Sequence, residues 1–179
     1  MKSLVERRAK VIVLVLIICI LQLFLSSCAT LSLGEPKSSS DCILIIPVRT
    51  TKNTSGSFFG RYIIAFSNAK SRIVLNPSVC NRIVKNLEPG ENLIESVQFF
   101  YKRGSDRGKK HNLYNKKFTL KPGYITVLPY LFEIELYKEG GFTWQEWDLR
   151  TLSFKEKEEI WDELSKDENF ALWKNDFFK

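Results

Sequence analysis

Between residues 42 and 138 the chain is broken into short runs rich in Ile, Val, Phe and Tyr, separated by Gly, Pro, Asn or Ser, and this punctuation restricts it to a β fold. The runs fall at 42–49, 61–67, 72–76, 81–87, 92–102, 117–120 and 124–137, the last interrupted at Pro129. Phe132, Ile134 and Leu136 alternate with Glu133, Glu135 and Tyr137, which places three apolar side chains on one face and two carboxylates on the other. Val97, Phe99 and Tyr101 alternate in the same way with Ser96, Gln98 and Lys102, with Phe100 out of phase. Such strands are half-buried members of antiparallel sheets. Leu87-Glu88-Pro89-Gly90 and Leu120-Lys121-Pro122-Gly123 join successive runs, with Pro setting φ and Gly accepting the positive φ of a type II turn.

The C-terminal part has a different period. Ser153 followed by Glu156 forms a capping box, after which Phe154, Ile160, Trp161 and Leu164 share one helical face. A second short helix is expected from about Asp167, with Phe170, Trp173 and Phe177 on one side. All four tryptophans, Trp144, Trp147, Trp161 and Trp173, lie after residue 143, and amphipathic helices packing them onto the sheets is the simplest expectation. A partner-docking face is the alternative; a membrane-surface face is disfavoured because the polar sides are acidic.

The first 28 residues do another job. Lys2, Arg7, Arg8 and Lys10 precede a stretch, 11–25, that is apolar except for Gln22 and has the length of a signal-peptide core, short of the ~20 residues that span a bilayer. Leu25-Ser26-Ser27-Cys28 follows, and residues 2–28 together resemble the signal and lipobox of bacterial lipoproteins. That resemblance implies a diacylglyceryl group on Cys28 and cleavage just before it, in a membrane-anchored protein of the cell envelope. Ala29 stands where an Asp signals inner-membrane retention in enterobacterial members, which favours the outer membrane. An uncleaved signal anchor is the alternative, although the tail after Cys28 is polar and carries no cluster of cations. The strand and Pro-Gly spacing over 42–138 also resembles transthyretin-like and PEGA-like β-sandwich modules of envelope proteins.

The expected organisation is therefore a mainly β protein: a signal helix at 1–27, the lipidated Cys28 with a flexible tether through residue 40, an antiparallel β-sandwich at 41–138, and a helical C-terminal segment at 139–179 capping it. Loss of residues 1–27 leaves 152 of the 179 residues and lowers the net charge from +7 to +4. What remains is polarised, with 15 cations against 5 anions over 41–131 and 7 against 13 over 132–179.

Little in the chain points to catalysis, a metal or a cofactor. The single histidine, His111, sits among Lys109, Lys110 and Asn112, a poor setting for a zinc ligand or general base. Gly56 to Gly60 lack the Lys-Ser/Thr of a phosphate loop. Glu133 and Glu135 share a strand face, as a glycosidase pair can, and an exposed sheet face accounts for them more simply. Of the cysteines, Cys42 and Cys80 would remain in the mature domain, either as a disulfide or as two buried thiols. The strongest charged feature is a glycine-containing loop whose Lys102, Arg103, Arg107, Lys109, Lys110, Lys116 and Lys117 oppose only Asp106. It suits an anionic partner such as lipid head groups, an envelope polymer or an acidic protein surface, or it is a solvated hairpin; nucleic acid is not an expected partner. The function expected is that of a non-enzymatic binding or assembly component, with a surface adhesin as the second reading and a hydrolase as a remote third.

Overall fold

A computed structural model describes residues 32–67, 72–77, 80–85, 87–103 and 106–176, and over 101–113 the backbone alone. The signal segment and Cys28 lie outside the described residues. The described elements are β1 (Ile43–Lys52), β2 (Arg61–Phe66), β3 (Ile73–Leu75), β4 (Asn81–Val84), β5 (Gly90–Arg103), β6 (Asp106–Leu120), β7 (Tyr124–Val127), β8 (Tyr130–Glu139), β9 (Phe142–Thr151), α1 (Phe154–Leu164) and β10 (Lys174–Asn175).

The protein is mainly β, with its strands in two sheets and its helix near the C-terminus. One sheet is antiparallel, in the order β3-β2-β5-β6, and the other is mixed, running β10-β7-β1-β8-β9 with β4 also paired to β1. The mixed sheet departs from the all-antiparallel expectation because β7 and β8 both run parallel to β1. Ile43 faces Ile125 and Val48 faces Phe132, so the register slips by two residues across Leu128-Pro129, where proline cannot donate to the ladder. The interruption expected at Pro129 is thus a break within one line of strand.

β1 is the spine of the molecule. Ile43, Leu44, Ile45 and Ile46 are all fully buried, as befits a strand covered on both faces. Alternation sends Leu44, Ile46 and Val48 into the core between the sheets and Ile43 and Ile45 into a second cluster under α1. In the main core the Tyr62 ring stacks on Phe99 at 4.9 Å and meets Phe132 edge-on at 5.0 Å, with Trp147 at 5.8 Å. Burial pushes the Tyr62 phenol up to about 12, and its oxygen accepts a hydrogen bond from Gln145 Nε2 at 2.8 Å. A β-bulge between Ile94 and Ser96 resets the side-chain phase of β5. Ile94, Val97 and Phe99 therefore all reach the core.

The Ser153 capping box is present: its side chain accepts from Glu156 N and the Glu156 carboxylate accepts from Ser153 N. Ile160, Trp161 and Leu164 are buried from this helix together with Trp173 and Leu33, whereas Phe154, expected on the same face, is 70% exposed. Three further expectations are corrected. Residues 142–151, assigned to a helical segment, form β9, because Gln145, Trp147 and Leu149 face inward at a period of two opposite Leu136, Ile134 and Phe132. The second helix is a single 3₁₀ turn, Phe170–Leu172, followed by β10; Phe177 lies outside the described residues. The described part of the tether is packed: Leu33 is fully buried, its N–H donates to Asp167 Oδ2 at 3.0 Å, and Trp173 Nε1 donates to the Gly34 carbonyl at 2.9 Å.

Candidate functional site

The exposed surface of the β8–β9 hairpin is where unusual side chains converge. A Gly140-Gly141 turn, both residues at positive φ (55° and 82°), returns the chain so that Glu133 faces Asp148, Glu135 faces Glu146, Tyr137 faces Trp144 and Glu139 faces Phe142. These positions alternate with the core-facing ones and share the outer face. Directly opposed like charges destabilise a ladder, and this face carries two such pairs.

One end of the face is neutralised. Arg150 Nε and Nη2 donate to the two Glu133 oxygens at 3.0 and 3.3 Å, and its Nη1 and Nη2 donate to Glu156 at 2.9 and 2.6 Å. Arg49 adds an ion pair to Glu156 at 2.6 Å. Hydrogen bonding from Arg150 holds the Glu156 carboxyl well below the usual carboxylate range against the opposing effect of burial, and Glu156 and then Glu133 raise the Arg150 guanidinium further. The cluster fastens the N-terminus of α1 to β1, β8 and β9, so Glu133 has a structural post.

The other end is not neutralised. Glu135 accepts from Asn53 Nδ2 at 2.8 Å. Glu139, Glu146 and Asp148 form no ion pair with a described cation. Among them stand Tyr137, Trp144 and Phe142, the last two 49% and 61% exposed. Partial burial, a hydrogen bond to Glu146 and the nearby carboxylates push the Tyr137 phenol up. Beneath this face the loop after β1 is held by Gln145, whose side chain accepts from Phe59 N and donates to Phe59 O, both at 2.9 Å. Three of the four tryptophans are buried as expected; Trp144 is the exception. Glu133, Glu135 and the alternation were legible in the sequence, whereas Phe142 and Trp144 were assigned to a helix and gave no sign of joining them.

The basic segment is not a loop. Its residues lie on β5 and β6, with Lys102 opposite Arg107, Arg103 opposite Asp106, Phe99 opposite Lys110 and Phe100 opposite Lys109. Backbone pairing to the apolar β5 carries the polar run of β6 into a strand that its own hydropathy does not announce. Lys116 and Lys117 are exposed, with Lys116 Nζ 5.4 Å from the Tyr130 ring centre; the side chains of Lys102, Arg103, Arg107, Lys109, Lys110 and His111 lie outside the described residues.

Of the two alternatives for Cys42 and Cys80, the disulfide between them does not form. Cys42 is a free, buried thiol whose Sγ donates to the Leu87 carbonyl at 3.0 Å, and burial raises it above the usual thiol range. Cys80 is not bonded to it. Among the described residues no group of three His, Cys, Asp or Glu side chains is placed to hold a metal ion. No protein-family model, curated protein or solved structure matches the chain.

Proposed function

We propose that this chain is a bacterial envelope lipoprotein, anchored through a lipid on Cys28, that works by binding a partner or supporting an assembly and performs no catalysis. The observation that carries the reading is Leu25-Ser26-Ser27-Cys28 after a basic start and an apolar stretch of signal-peptide length. The packed position of Leu33 agrees with a short leash: four residues separate it from Cys28, at most about 18 Å of extended chain. A domain held that close to a bilayer presents its surfaces to whatever lies at the membrane. The outer membrane is the favoured location, on the strength of Ala29. The carboxylates best placed for acid-base work, Glu133 and Glu135, are engaged by Arg150 and Asn53.

Growth with an alkyne-tagged fatty acid tests the anchor. Label is expected on the protein and lost in Cys28→Ala, with the variant accumulating as uncleaved precursor; label that persists in that variant would remove the basis of the proposal.

A second reading, an adhesin or binder of anionic polymer, is favoured by exposed Lys116 and Lys117 on β6 at the edge of the four-stranded sheet. It predicts retention on a heparin column that falls with salt and with charge reversal at these two lysines. Retention indifferent to both would end it.

A further inference from the structure

β9 is an edge strand, and among the described residues nothing pairs with its free side. It is ten residues long, with no proline or glycine to break its row of N–H and C=O groups, the kind of edge that ordinarily invites another chain. The outer surface beside it exposes Trp144 and Phe142. Around them Glu135 opposes Glu146 with no described cation between, an arrangement that costs stability in the isolated domain.

We propose that the β9 edge and the adjoining aromatic surface receive an extended, lysine- or arginine-bearing segment of a partner protein, added to the sheet as a further strand. This rests on the reading of the protein as a binding component and names the surface and the chemistry of its partner. Main-chain hydrogen bonds to β9 supply affinity, and alternate side chains of the incoming strand supply recognition. Those on the outer face lie one strand spacing, roughly 5 Å, from Glu146 and Asp148, where cations relieve the uncompensated charge. A cation beside Trp144 also meets an exposed indole face. Two β9 edges paired antiparallel about Trp147 would set Glu146 of each copy opposite Asp148 of the other, which disfavours that self-pairing and favours an oppositely charged strand.

The test uses the chain as extracted from membranes, in detergent micelles, and an eight-residue acetylated peptide alternating Lys and Val, with binding read from fluorescence anisotropy of a label on the peptide. Saturable binding is expected. It should weaken about tenfold in Trp144→Ala and in Glu146→Lys, each checked for native circular dichroism, and be lost for the same peptide N-methylated at alternate amides. A Glu-Val peptide should not bind. Absence of binding, equal binding of the Glu-Val or N-methylated peptide, or indifference to both substitutions would overturn the proposal, as would sedimentation showing a dimer that Glu146→Lys dissolves. Fatty-acid labelling at Cys28 is read separately, so failure here leaves the anchor standing and failure there leaves this surface standing.

Discussion

Arg150 has the most consequential contacts of any single described residue, since it joins two carboxylates from different elements, Glu133 on β8 and Glu156 on α1. Removing it in Arg150→Ala leaves Glu156, its side chain 11% exposed, with Arg49 as its one described cation; a loss of about 1–3 kcal/mol is expected in urea unfolding. Glu156 also makes stability depend on pH. Its carboxyl is depressed in the folded protein, so its contribution is complete above the ordinary carboxylate range and is lost as pH falls through and below that range. Thermal melts between pH 7 and pH 3 should therefore show a decline that Glu156→Gln flattens, from a lower starting point at pH 7. Two glycines separate strain from crowding. Gly60 and Gly123 both have positive φ, 70° and 78°, yet a Cβ at Gly60 would lie 2.5 Å from the Phe100 carbonyl oxygen, whereas at Gly123 the nearest atom is 3.7 Å away. Gly123→Ala should cost about 1 kcal/mol from backbone strain alone. Gly60→Ala should cost clearly more, and equal losses in parallel denaturation curves would contradict the geometry.

At the scale of elements, legibility in the sequence followed the period of the side chains. β8 was plain because Phe132, Ile134 and Leu136 alternate cleanly, and α1 because Ser153 and Glu156 announce its start. β9 was missed because its residues were placed with the C-terminal segment expected to be helical, together with all four tryptophans; only the pairing with β8 shows that Trp147 faces the core while Trp144 faces out. The long β6 was missed for a different reason, since its polar run is a strand by virtue of its partner β5. The candidate surface shared this fate: Glu133, Glu135 and Tyr137 were visible on one strand, and Phe142, Trp144, Glu146 and Asp148 came from another brought alongside by the Gly140-Gly141 turn. The second cluster depends on α1, so Leu164→Ala should cost about 2–5 kcal/mol, and Ser153→Ala about 1 kcal/mol through loss of the cap. A Leu164→Ala effect no larger than the Ser153→Ala effect would mean that α1 is not held by that core.

For the molecule as a whole, the polarity of the sequence becomes a polarity of sheets. The cationic run of 102–117 lies on β5 and β6 of the antiparallel sheet, and the carboxylates of 133–148 lie on β8 and β9 of the mixed sheet, on the face turned away from the inter-sheet core. The carboxylates of β8 and β9 therefore stand on a different sheet of the sandwich from the exposed Lys116 and Lys117 of β6. Close to a membrane such surfaces act at high local concentration, and that makes the anchor the claim on which the functional account depends. Its most direct test is the intact mass of the protein extracted from native membranes. The account predicts a chain of 152 residues beginning at Cys28, with the added mass of a diacylglyceryl group on that cysteine. A chain of 179 residues without lipid, or one whose Cys28 is held in a disulfide in place of an acylated thioether, would contradict it.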